Sequence, residues 1–307
     1  MIKKCVLPVV CLALLVWMIV KAGPMQLWQN LLEWNWAILG CIIVWGLGYV
    51  LNTMSFGSIL SCYKEKEGSE NLSWKSIFRL TVGGYALNYI TPMGLLGGEP
   101  WRIYQLRKVL TPQSANSAVA YYALMHVVSH ILFWTISLML CIAGQEIQAI
   151  GQSQVLSVVL GMIGLVLVLA LVIFVLQRKG WISNLRHLLS EHPKQFWMSL
   201  GWELASRLVN VLEFWLLLEV AFPAEMFPSY KMAYLVVAVS SLVANVLFFS
   251  PMQMGTREGG IMLALQWLLP ACLMPDVFPM AVSISFATRI RELFWIVVGL
   301  LLIYIKK

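Results

Sequence analysis

The sequence predicts an all-α polytopic membrane protein, with six full crossings and two re-entrant helical hairpins in an inverted-topology repeat. Three observations predict it. Apolar residues come in helix-length runs, positive charges collect in one set of connecting segments, and two Gly/Pro-interrupted segments occupy corresponding places in the two halves.

Composition sets the class. Of 307 residues, 60% are hydrophobic and 11% charged, with a mean hydropathy of +0.81. That exceeds what a soluble core needs. Apolar runs cover residues 5–20, 36–60, 115–143, 155–176, 196–222, 233–249 and 280–305. Several approach the roughly 20 residues a helix needs to cross a bilayer. They do not alternate polar with apolar, which excludes a β-barrel. The start MIKK, the apolar run after it and Ala22-Gly23 resemble a signal peptide. Further spans at once and Lys21 in the cleavage region favour an uncleaved first helix. The six cysteines (5, 11, 41, 62, 141, 272) contain no CxxC pair and read as small packing residues.

The net charge of +7 does not point to nucleic acid, because of where the charges lie. Lys3, Lys4, Lys64, Lys66, Lys75, Arg79, Arg107, Lys108, Arg178, Lys179, Arg186, Lys194, Lys306 and Lys307 fall in segments that share one side, whereas 144–153, 223–229 and 271–279 hold no Lys or Arg. The positive-inside rule makes the first group cytoplasmic, with both termini, in a cytoplasmic (inner) membrane.

Following that orientation, 5–20 goes out and 36–60 returns. Residues 115–143 must go out again, so 77–108 starts and ends inside although it is apolar and interrupted at Gly83-Gly84 and at "TPMGLLGGEPWR". Residues 155–176 return, 196–222 go out and 280–305 come back, so 231–270, interrupted at "SPMQMGTREGG", starts and ends outside. The chain is therefore one transmembrane domain, 1–307. Repeat A covers about 36–143 with hairpin 77–108, repeat B about 196–305 with hairpin 231–270, and 5–20 and 155–176 are extra helices. Interrupted helices meeting near the midplane form the substrate site of many transporters. The hairpins also match in detail. Glu99 and Glu258 each stand seven residues after a proline (Pro92, Pro251) that Thr91 or Ser250 precedes, with Asn88 and Asn245 upstream.

Five glutamates (99, 203, 213, 258, 292) and five arginines (102, 207, 257, 289, 291) lie within or beside the apolar segments. Ionisable groups at membrane depth face a protein interior or a wet cavity and have partners. The cations are all Arg, whose planar fork binds carboxylate or phosphate oxygens at two points. The set suits a phosphate-bearing headgroup. Glu203 with Arg207 (i, i+4) and Arg289 with Glu292 (i, i+3) read equally well as structural bridges. For Glu99, Arg102, Arg257 and Glu258 the interrupted backbone beside them favours function, because irregular backbone at depth is tolerated where it is buried in protein or lines a cavity. Glycines there permit close approach, and freed helix N-termini supply N–H donors for an anion.

His126 and His130 are too few ligands for a metal and lack the glutamate of HExxH, so packing and interhelical hydrogen bonding are expected. Residues 178–197 place Trp181, Ile182, Leu185, Leu188 and Leu189 at helical spacing and read as a cytoplasmic surface helix on anionic lipid. Residues 24–36, with Trp28, Trp34 and Trp36, read as its external counterpart.

"ALNYITPMGLLGGEPWRIYQL" resembles the N-x-x-(T/S)-P-x-G-x-x-GGE-x-x-R stretch of the lysylphosphatidylglycerol synthetase transmembrane-region family, a group of flippase-like membrane proteins. "FFSPMQMGTREGGIMLAL" resembles its second P…G..E-G motif, with Met252 to Met254 where the family has more glycine. In two-domain members the membrane region is thought to move aminoacylated phosphatidylglycerol between leaflets, while a soluble domain attaches the amino acid. With Lys307 directly after the last span, aminoacyl transfer is not expected. The resemblance implies lipid handling by Asn88, Thr91, Pro92, Gly94, Gly97, Gly98, Glu99 and Arg102, and by Pro251, Gly255, Glu258 and Gly259. The expected activity is a lipid flippase in which Arg102, Arg257, Arg289 and Arg291 receive the phosphate and Glu99 and Glu258 hold the arginines or a cationic group. Asn245, Ser250, Glu203, Arg207 and Glu292 complete the candidate substrate site. No catalytic residue, metal or cofactor is expected. The expected partners are anionic phospholipid or polyprenyl phosphate, with a second copy or a separate lipid-modifying enzyme as protein partner. An intramembrane enzyme using a Glu as acid or base, or a small-solute transporter on the same repeat, are the alternatives.

Overall fold

The computed structural model describes residues 16, 17, 19–67, 72–91, 97–143, 178, 181–222, 230–246, 253, 255–268 and 274–304. The expected helix 155–176, most of 5–20, and Pro92, Gly94, Ser250 and Pro251 lie outside the described residues.

Every element among the described residues is helical. The short α1 (Pro24–Glu33) precedes the long α2 (Asn35–Glu67). Then come α3 (Trp74–Ile90), α4 (Gly98–Leu106) and the long α5 (Pro112–Ala143). The second half holds α6 (Trp181–Glu191), α7 (Pro193–Ala221), α8 (Tyr230–Val246), α9 (Thr256–Leu268) and α10 (Met274–Tyr304). Prolines stand in the first turns of α1 and α7, where a missing N–H costs no helical bond. Ser73 caps α3, its hydroxyl accepting from the Ser76 amide.

The expected runs 36–60 and 115–143 fall inside α2 and α5, and 196–222 and 280–305 match α7 and α10 to within one residue at the C-terminal end. By length and apolarity, Asn35–Tyr63 of α2 and Pro112–Ser137 of α5 suffice to cross a membrane. The comparably long α7 and α10 carry Glu203, Arg207, Glu213, Arg289, Arg291 and Glu292; Glu203 pairs with Arg207 and Glu213 with Arg291, whereas Arg289 and Glu292 pair with Glu258 and Arg257 of α9. Segments 77–108 and 231–270 each comprise two helices, α3 with α4 and α8 with α9. One expectation is corrected: Gly83-Gly84 does not interrupt its arm, since α3 runs unbroken through both glycines. They serve close packing, because a Cβ at Gly84 would lie 2.3 Å from Arg102 Nε, and one at Gly83 2.9 Å from both Ile303 and Trp101.

The packing has an internal correspondence. α2 packs along α7; α3 packs on α10 as α8 packs on α5; α3 packs on α4 as α8 on α9; and α2 touches α10 as α7 touches α5. Each statement survives exchange of α2–α5 for α7–α10. Two hydrophobic clusters flank the centre. One joins Phe214, Leu217, Val236, Ile261 and Ile284 near α7–α10, the other Phe56, Leu80, Leu106, Tyr122 and Leu200 near α2–α5.

Candidate headgroup cavity

Where these helices converge they enclose a cavity of about 270 Å³. α2 contributes Trp45, Tyr49 and Asn52, and α3 Tyr85, Asn88 and Tyr89. α5 gives His126 and His130, α7 Arg207 and Asn210, and α8 Ser240, Ser241 and Asn245. Gln253, Arg257 of α9, and Arg291 and Glu292 of α10 close it. The wall is thus built from both halves, and it holds three guanidinium groups against one carboxylate.

Of the candidate residues, Asn88, Arg207, Asn245, Arg257, Arg291 and Glu292 line this cavity. Arg207 Nη2 lies 3.6 Å from Glu203 Oε2, and its side chain keeps 16% exposure. Arg257 pairs with Glu292 and donates to Gln253 Oε1 at 2.8 Å, with 13% exposure. Arg291 is nearly sealed: its Nε is 2.9 Å from Glu213 Oε1 and its guanidinium carbon 3.5 Å from the Trp45 ring centroid. Such cation–aromatic stacking strengthens when desolvated.

Several of the other described candidates are tied to neighbouring helices. Arg102 is buried and donates to Leu80 O at 3.1 Å, Thr81 O at 3.1 Å and Glu99 Oε1 at 3.0 Å, between the rings of Tyr85 and Tyr122. Asn88 accepts from the Gly98 amide at 2.7 Å and donates to Glu99 at 3.1 Å, tying the first turn of α4 to the end of α3. Gly97 and Gly98 exist for that contact: a Cβ on Gly98 would lie 2.2 Å from Gly84 O, and one on Gly97 2.6 Å from Thr91 Cγ2. Thr91 donates to Leu87 O at 3.0 Å.

In the first turn of α9, fully buried Glu258 reaches back to accept from the Gly255 amide at 2.7 Å, half of a capping box. Its other oxygen accepts from Ser285 at 2.7 Å and Arg289 Nη2 at 2.6 Å. Gly255 has φ +81°, which suits glycine, while a Cβ on Gly259 would meet open space. The expected i, i+3 bridge between Arg289 and Glu292 is replaced by two bridges across helices: Arg289 to Glu258 and Glu292 to Arg257. Neighbouring α9 supplies both partners, so the charges join α9 to α10.

Glu213, named among the intramembrane charges but not as a site residue, is fully buried against Arg291. The tyrosines, Asn52, Asn210 and the histidines were not among the candidates. The signal that could have found them is spacing: 45, 49 and 52 on α2, 85 and 89 on α3, and 207, 210 and 214 on α7 are face-sharing positions in apolar helices. The expected interhelical role of His126 is observed, with Nδ1 2.9 Å from Glu203 Oε2. Among the described residues no group of three metal-ligating side chains occurs.

Compared with known families, residues 5–275 match the lysylphosphatidylglycerol synthase TM region. The chain belongs to this family. No curated protein and no solved structure matches it. Family membership and the apolar helices make it a membrane protein and associate it with membrane lipids. Within this TM-region protein, both motif glutamates serve the ends of short helices, and the arginines that remain on the cavity wall come from α7, α9 and α10.

Proposed function

We propose that this TM-region protein moves a phosphate-bearing lipid between leaflets, its headgroup passing through the central cavity while the acyl tails stay in lipid. The observation that carries this is the cavity wall itself, where Arg207, Arg257 and Arg291 from three helices meet Tyr85, Tyr89 and Asn88 of the other half. A guanidinium offers two parallel donors to phosphate oxygens. The corresponding packing of α2–α5 and α7–α10 supports an inverted repeat, and the end of α3 at the extended Thr91, with the positive φ of Gln253 and Gly255 ahead of α9, supports two re-entrant hairpins within a six-crossing protein. Both termini would then be cytoplasmic, in the inner membrane. The chain acts as a carrier rather than an enzyme, with anionic phospholipid or polyprenyl phosphate as its substrate and a separate lipid-modifying enzyme, or a second copy, as a protein partner.

Reconstitution tests it. Proteoliposomes with fluorescent phosphatidylglycerol in both leaflets are treated with an impermeant quencher. Wild type is expected to expose the inner-leaflet pool, and Arg207→Gln with Arg257→Gln to slow that exposure at least tenfold. Protein-free rates with wild type would refute the proposal.

A further inference from the structure

Given an anionic headgroup in the cavity, we propose that His126 takes up one proton as that anion enters, so that lipid binding and movement are linked to protons. This rests on the function proposed above.

The histidine stands where such a proton is needed. Its Nδ1 is 2.9 Å from Glu203 Oε2, so the carboxylate fixes the N–H there and leaves Nε2 as the basic atom. Arg207 Nη2 lies 3.0 and 3.2 Å from the two ring nitrogens and 3.6 Å from the same carboxylate oxygen. The other groups facing the ring are Tyr85 of α3, with its hydroxyl 3.5 Å from Nδ1, and His130, at 5.0 Å between centroids. Arg102 of α4 acts from beyond Tyr85 and is bound to Glu99. His130 donates from Nδ1 to His126 O at 3.0 Å and, among the described residues, pairs with no carboxylate.

With His126 neutral, Glu203 and Arg207 balance. Glu203 is fully buried, whereas Arg207 is partly exposed on the cavity wall. A phosphate that draws Arg207 toward the cavity would leave Glu203 as an uncompensated buried charge, which is strongly unfavourable. A proton from cavity water on His126 Nε2 restores the balance, because the imidazolium is already in hydrogen-bond contact with Glu203. One N–H bond forms as one O–H bond of solvent hydronium breaks, leaving water, and the proton returns to solvent when the headgroup leaves. Linkage is reciprocal: if the anion favours protonation, acid favours the anion by the same free energy.

The test uses full-length protein in detergent and dihexanoyl phosphatidylglycerol, whose phosphodiester keeps one charge across pH 6 to 8. Isothermal titration calorimetry in two buffers of different ionisation enthalpy counts protons. Expected are uptake of about one proton per lipid bound and affinity rising up to about tenfold per pH unit lowered. The slope flattens in His126→Gln and uptake is lost. Glycerophosphoglycerol, the headgroup alone, is expected to show the same uptake with weaker affinity. Were only the acyl-bearing probe to bind with uptake, the cavity would not be its source and the inference would fall. Phosphatidylglycerol binding without uptake or slope overturns the inference and leaves the proposed function standing. No binding by either anion removes both. The wild-type proton count needs no variant, so misfolding of His126→Gln cannot rescue the idea.

Discussion

Replacing Gly98 by alanine tests how α3 and α4 are held together. The added Cβ would stand 2.2 Å from Gly84 O and 2.7 Å from Asn88 Oδ1. The nearer atom is backbone within continuous α3, so it cannot rotate aside, and relief requires the helices to part by about 1 Å to reach ordinary contact. That movement strains the Gly98–Asn88 and Asn88–Glu99 hydrogen bonds and those from Arg102 to Leu80 O and Thr81 O. At about 1 kcal/mol for a neutral bond and about 1.5–3 for one from a charged group, partial loss costs about 3–5 kcal/mol. The gain from replacing glycine by alanine in a helix is at most about 1 kcal/mol. Destabilisation wins. Gly259→Ala is the control, because its Cβ meets nothing within 4 Å and only the favourable effect remains. Thermal unfolding of both variants in one detergent, followed by tryptophan fluorescence and monodisperse fraction after heating, reads the outcome. Gly98→Ala should unfold well below wild type and Gly259→Ala at or slightly above it. A Gly98→Ala protein as stable as wild type would refute the close-packing assignment.

Glu258→Ala should destabilise by about 3–5 kcal/mol, since it leaves Arg289 without this carboxylate and the Gly255 amide without its acceptor; denaturant titration in mixed micelles measures it. Glu213→Leu alone should cost a similar amount by leaving buried Arg291 with Glu292 at 4.0 Å in place of Glu213 at 2.9 Å, whereas adding Arg291→Met should recover much of it. If the double variant is no more stable than the single one, the two residues are not a pair.

Much of the framework is legible in the sequence, because long apolar runs bounded by charge can only be helices in lipid. α2 and α5 contain their expected runs, α7 and α10 match theirs to within one residue, α3 ends at the extended Thr91 of the first Pro/Gly motif, and α9 begins just after Gly255, with φ +81°, in the second. Side-chain pairing is less legible. Arg289 and Glu292 share a helix at bridging distance, yet α9 packs against that helix with Arg257 and Glu258, and each charge takes its partner there. Gly83-Gly84 reads as a break by propensity, but a glycine pair inside a helix also allows close approach, and the nearby guanidinium decides which. Arg102 reads as a headgroup ligand from its motif, whereas tertiary contacts bind it to two carbonyls and Glu99. The aromatic and amide side chains of the cavity are dispersed over five helices, and only folding brings them to one wall.

The most direct measurement of the central claim is a cryo-electron microscopy map of the protein in nanodiscs containing phosphatidylglycerol. The account predicts headgroup density inside the cavity, with phosphate within hydrogen-bond distance of Arg207 or Arg257. Ordered lipid confined to the outer surface, with the cavity filled by side chains or water alone, would contradict it.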